Sequence, residues 1–385
     1  MKNIEIYFYK ILRKILKKKT GLHEPIFQEE DIENLKKCAN STFVSTKGNF
    51  TKRFEKKLCE LTGSKYAIAM NSGTAALTLA LRVLNIKKND EVLVPSLTFV
   101  ATVNSIKYCD AIPHFVDSCE NNLGIDVTKL EKYLNSNLYK KGKFFFNKKT
   151  NNRIYAIIPV HIFGFPSDID KIVRLAKKFN LKVLEDATEA LGSKFKNRQV
   201  GTFGHIGVLS FNANKIITTA AGGSLITNNK KYADLAFHLS TTAKVSHPWL
   251  LIHDTLGWNT RMPSLNAALG YNNLKNLKKI IIQKRKLAKV YNSLFKNTKI
   301  QFLNENKSSK SNFWLNTILL KDDQIKYRDK ILDYCYKKGI NCRPAWNLIS
   351  EMDIYKKCPR SDLSISEKLQ KKIINLPSGL NILTC

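Results

Sequence analysis

Acidic residues are scarce in this chain. Its 385 residues carry 31 Asp and Glu against 64 Lys and Arg, a formal charge of +33. Proline and glycine are sparse too, at 10 and 17, and no internal repeat is found. With 43% apolar and 10% aromatic residues, the chain is neither collagen-like nor disordered. No apolar run is long enough to span a bilayer. The eight cysteines, Cys38, Cys59, Cys109, Cys119, Cys335, Cys342, Cys358 and Cys385, lack paired CxxC spacing. That argues against a zinc site and for reduced thiols in a cytoplasmic chain. No His, Cys, Asp and Glu set has metal-ligand spacing, so no metal is expected. The basic excess invites a nucleic-acid reading. It is scattered as Lys through every segment, beside many Asn and Ile, so it reads as compositional drift and no nucleic-acid partner is expected.

The first twenty residues stand apart. Ile4, Phe8, Ile11, Leu12, Ile15 and Leu16 share one helical face, with Lys10, Arg13, Lys14, Lys17 and Lys18 around the rest. Charges interrupt the apolar stretch, which argues against a signal peptide. Two readings stay open: weak contact of residues 1–20 with an anionic membrane surface, or packing on the body or a partner subunit.

From about residue 60 strands and helices alternate, the mark of a mostly parallel sheet covered on both faces. Strands are expected at Tyr66 to Met70, Glu91 to Pro95, Ile112 to Asp117, Arg153 to His161, Leu181 to Leu184 and Ile206 to Phe211. Helices are expected at Thr74 to Leu84 and after a Ser167-Asp168 cap. The Lys-rich stretch 136–152 reads as an exposed hairpin or loop. After about residue 260 comes a long helix, Asn266 to Phe295, then a smaller α+β segment. The division expected is a basic extension (1–20), a large α/β domain (21–260) and a small domain (261–385).

Chemistry-bearing residues fall just past the strand ends, where open α/β sheets bind ligands. Ser210 through Lys215 (SFNANK) follows one apolar strand, Leu184-Glu185-Asp186 ends another, and Asn71-Ser72-Gly73-Thr74 opens a helix. An amine that can form a Schiff base, a carboxylate for a ring nitrogen and a helix start for a phosphate are what pyridoxal 5'-phosphate requires.

From about residue 22 onward the chain resembles the DegT/StrS sugar-nucleotide aminotransferases, a fold-type-I family. Leu22-His23-Glu24-Pro25, Pro95 through Thr102, His238 through Lys244, and His253 through Gly270 resemble the members that act on 4-keto-6-deoxy-N-acetylhexosamine nucleotides for legionaminic acid and related sugars. The resemblance implies that Lys215 carries the cofactor and shuttles the proton, while Asp186 pairs with the pyridine nitrogen. It implies that Ser72, Gly73, Thr74 and Ser210 hold the phosphate and that Phe99 stacks on the ring. Asn259 would reach the phosphate of a neighbouring subunit's cofactor, in a homodimer. Glu189, where many relatives carry Gln, either contacts the ring or its phenolic oxygen or belongs to the helix turn. His161 either orients cofactor or sugar or is a satisfied core histidine. His247 and His253 resemble substrate-region positions, and Arg343, Pro344 and Trp346 resemble a sugar-pocket wall.

The chain departs from the family at Ala220-Ala221, where relatives carry glycines, and at Phe165, where they carry a polar residue. The reaction implied is transfer of an amino group, from L-glutamate, to the C4 ketone of a nucleotide-linked sugar, with ping-pong kinetics. Sugar dehydratases of the same fold replace the lysine with histidine, so Lys215 counts against them. A non-catalytic basic binding protein on this fold is the other rival.

Overall fold

The computed structural model describes residues 3–17 and 19–383; Lys18 and Cys385 lie outside them. Seven strands form the path of the central sheet: β1 (Tyr66–Met70), β2 (Glu91–Pro95), β3 (Ile112–Val116), β4 (Arg153–Ile157), β5 (Lys182–Asp186), β6 (Ile206–Ser210) and β7 (Gly223–Thr227). Their order is β1-β7-β6-β5-β4-β2-β3. All neighbours pair in parallel except β7, which runs antiparallel to both β1 and β6. Side chains alternate between two cores, as the pleat demands: Val92 and Val94 pack on one face, Leu93 on the other. Burial on both faces explains why these strands are continuous apolar runs.

The Lys-rich stretch forms the hairpin Leu138–Lys141 and Phe144–Asn147, which extends the sheet beside β4. The helix after β4 spans Ile169–Lys178 with Asp168 at its N-cap position, but the Asp168 side chain makes no capping bond; its carboxylate takes Lys171 Nζ at 2.9 Å and Asn122 Nδ2 at 3.2 Å. The long helix expected from Asn266 is two helices, Ser264–Lys275 and Leu277–Phe295. Asn276 stands between them with φ −88° and ψ 5°, off the helical values, and its side-chain amide donates to the Asn272 carbonyl at 3.1 Å. Beyond them, a four-stranded sheet joins Gln301–Phe302, Asn316–Leu319, Ile373–Leu376 and Arg343–Pro344 in that order.

The N-terminal helix, Ile4–Leu12, settles one open reading. Ile4, Phe8, Ile11 and Leu12 are buried, Phe8 meets Phe295, Tyr9 meets Tyr334, and Glu5 pairs with Lys330 at 3.0 Å. The apolar face that a membrane contact through residues 1–20 would need is therefore occupied by the protein's own body, and that expectation is corrected. Among the described residues no helix is long and apolar enough to cross a membrane.

Candidate active site

Lys215, Asp186, Ser72, Gly73, Thr74, Phe99 and Ser210 converge on one cavity of about 200 Å³ at the carboxyl edge of the sheet. The helix Gly73–Val83 begins here, and the Ser72 hydroxyl caps it by accepting the Ala75 N–H at 3.1 Å. The first-turn amides of this helix lack intrahelical acceptors and point their partial positive charge at the cavity, which suits a phosphate. Close approach is built in. A Cβ on Gly73 would lie 3.1 Å from the Ser210 side chain, and one on Gly223 would lie 2.5 Å from the Ser72 backbone.

Asp186 ends β5 and is buried. Its Oδ2 accepts the Thr102 hydroxyl at 2.7 Å, and its Oδ1 accepts the Thr188 hydroxyl at 2.7 Å. Neutral donors fix the carboxylate without cancelling its charge, leaving it able to hold a protonated ring nitrogen. Lys215 sits in a tight turn, its N–H donating to Asn212 O at 2.9 Å. Its ammonium lies 4.0 Å from the Trp314 ring centroid and 3.1 Å from Glu189 Oε1. The other Glu189 oxygen accepts the Phe163 N–H at 2.8 Å. Burial raises the Glu189 pKa, and the Lys215 charge opposes it. Phe163 itself has a φ of 53°, an uncommon conformation for a bulky residue, and packs against Trp346 with ring centroids 4.9 Å apart and tilted by 34°.

Phe99 is half exposed at the cavity mouth, 6.1 Å from Trp346, so it is not a core residue. His161 is one: fully buried, its Nε2 meets Glu185 Oε2 at 3.2 Å and its Nδ1 accepts the Ser167 N–H at 3.1 Å. With both ring nitrogens engaged, His161 has none left for cofactor or sugar, and the substrate-binding reading is corrected. Phe165 is likewise buried, edge-on to Phe313, so its side chain serves packing. Ala220 adopts a φ of 63°, the left-handed conformation that glycine takes without strain; Ala221 does not.

Asn259 and His247 lie apart from Lys215, in a separate cavity of about 500 Å³ shared with Lys47, Lys244 and Arg261. His253 is exposed on the short hairpin Lys244–Val245 and Ile252–His253, its Nδ1 2.7 Å from Thr242 O. Arg343 is exposed on its edge strand. Sequence reasoning assigned no role to Thr102, Thr188 or Trp314. Only Thr102, inside the quoted run Pro95 to Thr102, had any signal. Thr188 and Trp314 are recognisable only once the chain is folded.

The residues present fit pyridoxal 5'-phosphate: a helix start and hydroxyls at one end, a carboxylate deep in the cavity, and an amine over an aromatic ring. An amine, carboxylate and helix start so placed on this sheet define a fold-type-I pyridoxal-phosphate enzyme. The chain belongs to the DegT/DnrJ/EryC1/StrS aminotransferase family, which it matches over residues 25–384, and pyridoxal phosphate is that family's cofactor. It is 36% identical to the GDP-perosamine synthase of Escherichia coli O157:H7, covering 93% of this chain and 92% of that one. It is 31% identical to the GDP-perosamine synthase of Vibrio cholerae, covering 93% of each. Among solved structures it resembles Helicobacter pylori PseC, an aminotransferase involved in pseudoaminic acid biosynthesis. That likeness has a TM-score of 0.85 and 27% identity, and covers 94% of both chains.

Proposed function

We propose that this aminotransferase moves an amino group from L-glutamate to the C4 ketone of a nucleotide-linked 4-keto-6-deoxy sugar, with an N-acetylhexosamine as the sugar. The observation that carries the reading is Lys215 over Trp314 and beside Glu189, at a cavity that also holds Asp186 and the Gly73 helix start. Bound there, the cofactor withdraws electrons from the substrate carbon so that a proton can leave it or return. Lys215 moves that proton. Asp186, fixed by Thr102 and Thr188, keeps the ring nitrogen protonated. Gly73, Thr74 and Ser210 hold the phosphate, and Phe99 covers the ring. The names of the E. coli and V. cholerae relatives favour a GDP-linked acceptor as the second reading.

A homodimer is part of the proposal. Trp249, Leu251 and Leu256, an apolar strip in the segment 249–256, are 75–79% exposed in the single chain, and Trp249 packs edge-on against His247 of the cavity that holds Asn259. A second copy covering this strip gives Asn259 and His247 a route to the neighbour's site. The enzyme would work in the cytoplasm, where nucleotide sugars are made. The deciding experiment follows the cofactor's visible band when L-glutamate is added, then supplies UDP- and GDP-linked 4-keto sugars and identifies the aminated product. Bleaching by glutamate with recovery on one keto sugar is the expected result. Steady-state kinetics that require both substrates bound together would sink the two-stage scheme.

A further inference from the structure

Trp314 stands behind the active-site lysine. It is buried and does not line the cavity that holds Lys215, yet its ring centroid lies 4.0 Å from the Lys215 ammonium. Its indole N–H donates to Asn214 O at 2.7 Å, one residue before the lysine. Trp314 therefore meets Lys215 at both ends, with a bond to the backbone beside its Cα and a ring under its nitrogen. The Lys215 N–H closes the turn by donating to Asn212 O at 2.9 Å.

The indole is itself braced. The Trp314 backbone N–H donates to Asn312 Oδ1 at 2.8 Å, and Trp314 O accepts Nζ of the fully buried Lys284 at 2.8 Å. Asn312 Nδ2 also donates to Glu189 O at 3.0 Å. One amide side chain thus ties together the two residues that flank the Lys215 ammonium, Trp314 by its ring and Glu189 by its carboxylate at 3.1 Å. A lysine that bonds a cofactor, leaves it and bonds it again has to be held while free, and held loosely. An aromatic face suits that task. It attracts an ammonium but accepts no proton, so the attraction lapses once the amine gives its proton away.

We propose that Trp314 is a positioning residue that acts through Lys215, fixing the lysine's backbone by its indole N–H and supporting its free ammonium on the ring. This rests on the role given to Lys215 in the proposed function.

The test combines Lys215→Ala with Trp314→Leu, which removes ring and donor, and with Trp314→Phe, which keeps a ring without the donor. Pyridoxal phosphate is added to cofactor-free protein, and both its affinity and the growth of the visible band are measured. With Lys215 present, the band should grow about tenfold more slowly in Trp314→Leu and about threefold more slowly in Trp314→Phe, for loss of a cation–ring contact and of a hydrogen bond. In the Lys215→Ala background neither change should alter cofactor affinity, because no lysine is left to act through. On loaded enzyme, Trp314→Leu should lower the maximal rate of bleaching by L-glutamate and leave its half-saturating concentration unchanged. Cofactor affinity weakened equally with and without the lysine overturns the assignment. So does band growth that matches wild type, or a shifted half-saturating concentration with an unchanged maximal rate. Should Trp314→Leu fail to fold, the same comparison with Trp314→Phe decides. An unchanged visible band in Lys215→Ala would sink the reading of Lys215 on its own, before any Trp314 variant is consulted.

Discussion

At the amino-terminal edge of the central sheet, Glu91 is surrounded. His114 Nδ1 lies 2.6 Å from it, Asn147 Nδ2 3.0 Å, and the Thr150 hydroxyl also donates to it. His114 in turn meets Tyr133 at 3.0 Å, so nothing polar is left for a ligand. At the carboxyl edge, Asp186 is held just as firmly by two threonines, but it faces a cavity. Both carboxylates are buried in the same sheet, and they differ in whether the partner set is complete. The hairpin 138–147 and its following turn complete it at one edge. At the other the chain stops short, which leaves room for the ring nitrogen of the cofactor in the proposed function. Titration tells the edges apart as well. Burial pushes the Glu91 pKa up, but His114, Thr150 and Asn147 more than offset it, and the net shift is downward. At Glu189, near the open edge, burial wins and the pKa rises.

Lys215→Ala bears on this contrast most heavily. It should cut turnover at least about a thousandfold and abolish the lysine-bound cofactor's visible band. His114→Ala should do the converse. Breaking a buried pair costs about 3–5 kcal/mol, so chemical denaturation should show a large loss of stability while activity per folded molecule is kept. A fall in activity that outruns unfolding would show that the two edges are coupled. Next come paired pH scans. The folded pKa of Glu91 is lowered, so its stabilisation is present above the ordinary carboxylate value of 4.5 and lost as pH falls through the folded value. Glu91→Gln should flatten that acid limb. The Glu189 pKa is raised, so wild type loses stability as pH rises from 4.5 through the folded value, and Glu189→Gln should remove that slope. Each slope is at most about 1.4 kcal/mol per pH unit for one proton. Slopes of the same sign in both scans would refute the contrast. Smallest is Ala220→Gly, where relief of a left-handed alanine and the added freedom of the unfolded chain oppose each other. The net change should stay under about 1 kcal/mol, read as a shift in denaturation midpoint.

The carboxyl edge was far more legible in the sequence than the amino-terminal one. A strand ending in Leu184-Glu185-Asp186, a helix opened by Ser72-Gly73-Thr74 and the strand that leads to Lys215 are local patterns, each with its own period and cap. The strand Gly223–Thr227 was missed because two glycines open it, and its antiparallel pairing to β1 and β6 is decided by distant chain. Glu91, His114 and Asn147 gave no signal, since their partnership spans more than fifty residues and forms only when the hairpin docks. His161 shows the same limit. Its place at a strand end suggested a ligand, but its Glu185 and Ser167 partners put it in the core. The break at Asn276 gave no signal, because a single asparagine among helix formers is compatible with an unbroken helix.

The helix Ile4–Leu12 carries an obligation in time. Its apolar face rests on Phe295 and on the helix Arg328–Lys337, residues made roughly three hundred codons later. At ~5–20 residues per second, a ribosome leaves that face uncovered for on the order of half a minute. During that wait, Lys10, Arg13, Lys14 and Lys17 are what keeps a sticky, newly made end dispersed.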